Sequence, residues 1–264
     1  MTSSLPPPFI HVDGVRNFRD FGAYPTQSGR TVQAGILYRS ANYAQLTQQG
    51  REAFAQTGIK VVVDLRRGQE RDLQPNQLDG LEVDILSSTL GDGDGETLPP
   101  HLQFIRDGEL SPAATHEHMI SSYRRIPWEP QHLALFNQTF DRLVAGHGPV
   151  VIHCAAGKDR TGILCGLILH ALGVDPDTIL QDYLLTNHVA QDPALVHGYA
   201  QMMGNRFNRV IDPEALRPMV GVHQDFLQAA WDEMVARDGG IDGYLLRIGV
   251  DAAKQRALAD YLLR

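Results

Sequence analysis

Residues 149–169 read Pro149-Val150-Val151-Ile152-His153-Cys154-Ala155-Ala156-Gly157-Lys158-Asp159-Arg160-Thr161-Gly162-Ile163-Leu164-Cys165-Gly166-Leu167-Ile168-Leu169. A short apolar run enters, a glycine-containing turn breaks it, and a longer apolar run leaves. That order spells a buried strand, a tight loop and a helix N-terminus. Loop N–H groups and the positive end of a helix together suit a tetrahedral dianion. Cys154 falls at the floor of such a cradle. Arg160, in the first helical turn, can fold back and grip two oxygens with its planar fork.

The same field favours the thiolate form of a cysteine placed there, which is the nucleophilic form. Cys154 then attacks phosphorus in line, a phosphocysteine forms, and water releases phosphate. Arg160 and the loop residues Ala155, Ala156, Gly157 and Lys158 bind the equatorial oxygens through both steps. Thr161 is expected to donate its hydroxyl to the sulfur, and His153 to orient the loop. No cofactor is needed, and no residue spacing suggests a zinc site. A free buried cysteine is most often a small core residue. The combination with Gly157, Arg160 and Thr161-Gly162 reverses that reading here.

Working outward, Ile59 to Val63 reads as a buried central strand ending at Asp64, and Leu81 to Leu86 as a second strand. Residues 22–40 read as short strands broken at Tyr24-Pro25 and Ser28-Gly29, a hairpin pattern. Helices are expected from Leu46 to Gln56 with Thr47 as N-cap, from Ala113 to Arg125, and from Gln131 to Ala145. Asp175-Pro176 opens another, to about Val189. Further helices start near Pro213, Ile241 and Asp251. The arm at 1–9 reads as loose. Residues 87–112 carry Gly-Asp-Gly-Asp-Gly and Pro99-Pro100, a pattern of a mobile surface loop rather than a calcium loop. The expected architecture is a three-layer α/β domain spanning 1–264. It has a central, mostly parallel sheet flanked by helices, a helical insertion at 87–130 able to act as a lid, and a helical C-terminal third. The loop sits at the carboxyl end of a strand, where ligands bind in such sheets.

The motif His-Cys, five residues, Arg resembles the signature of the cysteine-dependent tyrosine phosphatase superfamily. Its Gly-Lys-Asp-Arg ending is similar to an atypical bacterial and fungal branch. The likeness extends to Asn17-Phe18-Arg19-Asp20-Phe21-Gly22, to Leu37-Tyr38-Arg39-Ser40, and to Val63-Asp64-Leu65-Arg66 followed by Glu70. It also takes in Asp182-Tyr183-Leu184-Leu185-Thr186-Asn187, and Gly243-Tyr244-Leu245 with Ile248-Gly249-Val250. The resemblance implies a tyrosine-phosphatase-like fold and hydrolysis of phosphotyrosine, in some members also of phosphoserine, phosphothreonine or phosphoinositides. Lys158 as a second cation suits substrates carrying more than one phosphate.

The leaving oxygen needs a proton donor. The Trp-Pro-Asp triplet of better-known tyrosine phosphatases is absent, and Trp128-Glu129-Pro130 does not replace it. Two candidates remain: Asp159, favoured by its place in the cradle, and Asp64, at the end of the neighbouring strand. A carboxylate beside a phosphate dianion is pushed towards its protonated form. Asn17, Arg19 and Asp20 read as scaffold for the loop. Arg39 and Arg66 read as rim charges or as partners of acids. His116, His118 and His132 read as surface or capping residues rather than a metal set.

Composition bounds the alternatives. A net charge of −8 argues against a general nucleic-acid binder. A hydrophobic fraction of 43% supports a real core. Two cysteines eleven residues apart on one strand-loop-helix unit are no disulfide framework, and Cys165 reads as core. The N-terminal Met-Thr-Ser-Ser-Leu-Pro-Pro-Pro lacks a basic start and an apolar signal core, and no apolar run suits an integral membrane protein, so the cytoplasm is expected. Non-classical export remains open. The rivals are a dedicated phosphoinositide phosphatase, whose apolar Leu102, Phe104 and Ile105 face a membrane, and a non-catalytic phospho-ligand module. A sulfur-transfer enzyme has no use for Arg160 and Thr161 at these spacings.

Overall fold

Alternating side chains of short β-branched runs build a sheet buried on both faces. The computed structural model describes residues 8–90 and 98–264. Strands β1 (Arg19–Asp20), β2 (Leu37–Ser40), β3 (Val61–Asp64), β4 (Asp84–Leu86) and β5 (Val150–His153) form one sheet in the order β1-β2-β5-β3-β4. Only β1 runs antiparallel; the other pairings are parallel, with Val61 to Asp64 in register with Val150 to His153. Leu37, Val61, Val63, Val150 and Ile152 point into the larger core. Tyr38, Val62 and Val151 point into the smaller one. Each such side chain, wholly removed from water, contributes about 1.5–3 kcal/mol.

The smaller face is covered by α1 (Gln48–Gln56), whose Phe54 is buried and whose cap is Thr47, its side chain accepting the Gly50 N–H. The larger face carries α4 (Pro112–Arg125), α5 (Pro130–Val144), α6 (Asp159–Ala171) and the C-terminal helices. Helix α6 leaves the Cys154 loop and is buried all round from Thr161 to Leu169, including Cys165. A helix apolar on every side belongs in the middle of a molecule. The remaining helices are α2 (Gly68–Leu73), α3 (Pro100–Asp107), α7 (Pro176–Leu184), α8 (Asn187–Ala190), α9 (Pro193–Phe207), α10 (Pro213–Val220), α11 (Gln224–Asp238), α12 (Ile241–Arg247) and α13 (Ala252–Leu262). The expected α/β architecture with helices on both faces is the observed one. Among the described residues no helix is long and apolar enough to cross a membrane.

Several expectations need correction. The stretch 87–112 is not all loop: α3 lies within it, and its Leu102 and Ile105 are buried. These residues join the larger core, so they present no face to a membrane. The helix opened by Asp175 stops at Leu184, and α8 resumes at Asn187. Helices α2, α9 and α11 were not anticipated. The Gly91–Gly95 tract and residues 1–7 of the arm lie outside the described residues. Phe9, at the end of that arm, is bridged to Arg19.

Candidate active site

The loop from Cys154 to Lys158 turns at Gly157, whose φ of +67° is left-handed. A Cβ there would lie 2.1 Å from the Ser40 carbonyl oxygen, so only glycine lets the loop press against the end of β2. The loop carbonyls are drawn outward. Ala155 O accepts from the Asn42 side chain at 2.9 Å and from its backbone N–H at 3.1 Å. Gly157 O accepts from Asn17 Nδ2 at 2.9 Å and Arg39 Nη2 at 3.1 Å. Cys154 O accepts from His153 Nδ1 at 3.1 Å. Peptide planarity then turns the N–H groups of Ala155, Ala156 and Lys158 to the opposite side. Among the described residues, no backbone N–H from Ala155 to Asp159 donates to a backbone acceptor.

Behind the loop lies a buried charged frame. Asp182 accepts from Arg39 Nη1 at 2.7 Å, from Arg19 Nε at 3.4 Å and from the Tyr24 hydroxyl at 3.3 Å. Arg19 also donates to Asn17 Oδ1 at 2.5 Å, and Asn17 holds the loop from a left-handed backbone of its own. Burial favours a neutral Asp182, but the two guanidiniums hold its carboxyl below the usual range. Burial, and then Arg39, bring Arg19 down to about 10, so it stays charged at neutral pH. Two guanidiniums against one carboxylate leave one positive charge beneath the cradle, which favours an anion in it. Arg39 and Arg66 are therefore buried partners of Asp182 and Asp64, not rim charges.

Arg160 is anchored by three of its five N–H groups. Nη1 donates to Glu70 Oε2 at 2.6 Å and to Leu65 O at 3.2 Å, and Nη2 donates to Glu70 Oε1 at 2.7 Å. The N–H groups left over, on Nε and Nη2, share one edge of the guanidinium. That edge is a two-pronged dock for tetrahedral oxygens. Burial alone would raise the Glu70 carboxyl, but the charge and hydrogen bonds of Arg160 hold it at about 2. Glu70 in turn accepts the Arg67 N–H at the start of α2.

The two acid candidates have different surroundings. Asp159 lines the pocket beside Cys154, and its Oδ1 accepts from the Tyr123 hydroxyl at 2.6 Å. Burial, reinforced by Asp159, pushes the Tyr123 phenol far up, so it stays a proton donor. Asp64 is buried and does not line the pocket. Its carboxylate is gripped by Arg66 Nε and Nη2 at 2.9 and 2.8 Å and by Asn76 at 3.1 Å. Burial favours its neutral form, but the His153 ring and Arg66 outweigh that and hold the carboxyl below the usual range. Of the two, Asp159 lines the pocket, and Asp64 lies behind the loop with its carboxylate paired to Arg66. Lys158 is also placed unexpectedly: it is buried, with Nζ 3.0 Å from Gly221 O and 3.4 Å from Asp159 Oδ1. The Thr161 hydroxyl is buried with no hydrogen-bond partner, so the expected bond to sulfur is not made here.

The pocket above Cys154 holds about 650 Å³. Arg67, Arg125 and Glu129 border one side, while Leu195, Tyr199 and Met202 from α9 border another. His132, expected at the surface, is fully buried in the pocket wall. Its Nδ1 donates to Ile126 O at 2.8 Å, which fixes the tautomer and leaves Nε2 an unpartnered acceptor. Burial, with Arg160 nearby, holds that ring neutral, at about 4. Asn42, Glu70, Tyr123, His132 and Asp182 all serve the site without having been assigned to it from sequence.

A strand-loop-helix cradle around a cysteine and a forked arginine is built to receive a tetrahedral anion. A model of the tyrosine phosphatase family matches residues 10–264, so the chain belongs to that family and is a phosphatase, a hydrolase. It is 30% identical to the triple specificity protein phosphatase PtpB of Mycobacterium tuberculosis, over 95% of this chain and 97% of that protein. A putative tyrosine-protein phosphatase of Cupriavidus necator is also 30% identical, over 92% of this chain and 85% of its own length. A tyrosine-protein phosphatase of Nostoc commune is 28% identical, over 86% and 74%.

Proposed function

We propose that the protein is a metal-independent phosphomonoesterase that hydrolyses phosphotyrosyl proteins through a phosphocysteine. Phosphoseryl and phosphothreonyl proteins and phosphoinositides are further substrates. The observation that carries this reading is the set of loop carbonyls drawn outward by Asn42, Asn17 and Arg39, which turns N–H groups towards Cys154. The phosphate docks on those groups and on the free edge of Arg160. Cys154 attacks phosphorus in line, and Asp159 gives its proton to the leaving oxygen. The resulting carboxylate then takes a proton from the water that hydrolyses the phosphocysteine. Met119, Ile126 and Tyr199 in the wall suit the aryl ring of phosphotyrosine. The triple specificity named for the mycobacterial relative supports the wider substrate range.

The whole of 1–264 is read as a single phosphatase domain, with 87–130 as an insertion over the pocket. His101 of α3 and Met119, Ser122 and Arg125 of α4 line the pocket from that segment. The cytoplasm is the proposed compartment, in keeping with two free cysteines, Cys154 and Cys165.

The test is phosphate release from a phosphotyrosine peptide and from phosphatidylinositol 3-phosphate, with Cys154→Ser as control. Release that falls in the variant by about 10⁴-fold or more is expected. Asp159→Asn should slow poor leaving groups far more than good ones, whereas Asp64→Asn should not alter leaving-group dependence. No release from either substrate, or release that survives Cys154→Ser, overturns the reading.

A further inference from the structure

Away from the pocket, helix α4 and the start of α11 bring two imidazoles and a carboxylate together. His116 comes from α4; His223 is the N-cap of α11, and Asp225 lies in its first turn. One ligand atom from each lies within 4.8 Å of the other two. We propose that His116, His223 and Asp225 bind a divalent transition-metal ion of the zinc type, which clips α4 to the start of α11.

The distances suit that ion. Asp225 Oδ2 is 3.1 Å from His223 Nδ1 and 3.6 Å from His116 Nε2. Ligand atoms around a tetrahedral zinc, with bonds of about 2.0–2.1 Å, are spaced about 3.3–3.4 Å apart. These two edges lie within tenths of an ångström of that spacing, and the third, between the two imidazoles, is at most 4.8 Å. His223 Nδ1 accepts the Asp225 N–H at 3.3 Å, a long bond, and its one lone pair would pass from that N–H to the ion. A proton serves one pair of atoms, whereas a metal ion serves all three.

The surroundings also fit. Imidazole nitrogen with carboxylate oxygen is a donor set for zinc and its neighbours in the transition series, and two histidines with one aspartate leave a fourth position for water. The side chains of His116, His223 and Asp225 are 28%, 51% and 46% exposed, so an ion can reach them from solvent. Phe226 backs both imidazoles, with ring centroids 4.9 and 6.0 Å away, and gives the site an apolar wall. His118 and His132, the other histidines of this region, do not join the cluster.

The clip would fasten two elements that touch the phosphate loop from different sides. Helix α4 carries Tyr123, which donates to Asp159. The residues just before α11 are Gly221, whose carbonyl receives Lys158, and Val222, which is hydrogen-bonded twice to Asn187. The ion's role is structural, and the phosphatase chemistry does not pass through it.

The test is calorimetric titration of zinc chloride into the Cys154→Ser protein, which removes the Cys154 sulfur as a competing ligand. One equivalent should bind, and His116→Gln should weaken it at least tenfold. His223→Asn keeps a good helix cap and should weaken it as much. Cobalt should give the visible absorption of a four-coordinate site in the parent and not in either variant. No uptake by the Cys154→Ser protein, or uptake unchanged in both histidine variants, overturns the proposal. None of these readouts uses phosphate release, so a failed metal site and a failed phosphatase reading are told apart.

Discussion

The two walls of the pocket are built on opposite plans. The wall around Cys154 is fixed by buried charge: Arg19, Arg39 and Asp182 lie behind it, and Asn17 and Asn42 hold its carbonyls. The facing wall, from α8 to α10, presents Leu195, Tyr199, Met202 and Met219. It is tied at its ends by Asn187 with Val222 and by Lys158 with Gly221. Chemistry at phosphorus tolerates little displacement, and a misplacement of 1 Å costs on the order of 10²-fold in rate. Recognition of the rest of a substrate tolerates more. The pocket is framed by buried charge where bonds change, and by apolar packing through Ala200, Met203 and Leu216 where only shape is read.

Breaking the charged frame should therefore do the greatest damage. Asp182→Asn leaves Arg19 and Arg39 buried without the one carboxylate they share, and should cost about 3–5 kcal/mol in a urea titration. Gly157→Ala comes next: about 1–3 kcal/mol for the left-handed backbone, with the collision against Ser40 O added. Phosphate release should drop by about 10²-fold or more, because the cradle shifts.

Glu70 sharpens the comparison through pH. Its pairing with Arg160 holds the carboxyl at about 2, below its ordinary 4.5. That stabilisation is fully present above pH 4.5 and is lost as pH falls through about 2. The stability gap between the wild type and Glu70→Gln should therefore shrink across that acid window. A gap independent of pH would mean that the pair does not stabilise the fold. On the facing wall, Met202 is 53% exposed. Met202→Ala should change stability by less than about 0.5 kcal/mol and raise KM for a phosphotyrosine peptide roughly two- to threefold. A loss as large as that of Asp182→Asn would erase the distinction between the walls.

What the sequence disclosed follows the range of the interactions involved. The strand, loop and helix around Cys154 are encoded within some twenty consecutive residues, and the Thr47 and Asp175 caps within three or four. Asp182 lies 163 positions from Arg19 and 143 from Arg39, so nothing local announces the frame. Arg39 and Arg66 read from sequence as rim charges or, as arginines at strand ends more often are, partners of acids. Arg66 finds Asp64 two positions away, whereas Arg39 finds Asp182 only in three dimensions. Helix α3 was missed because two turns offer a single apolar pair, Leu102 and Ile105. Helix α11 was missed because Phe226, Leu227, Ala229, Ala230 and Met234 spread burial around the cylinder instead of along a stripe.

The double hydrogen bond between Asn187 and Val222 has an evolutionary meaning. Residues 188–221 begin and end beside one another, but Ala200, Met203, Leu216 and Met219 anchor the segment in the larger core, and Arg209 ties it to the carbonyls of Ile105 and Gly108. The cost of closing a loop rises slowly with its length, so insertions between those anchors are tolerated and changes at them are not. A lineage can therefore rewrite the pocket-facing side chains of the segment while its core-facing ones are inherited with the cradle.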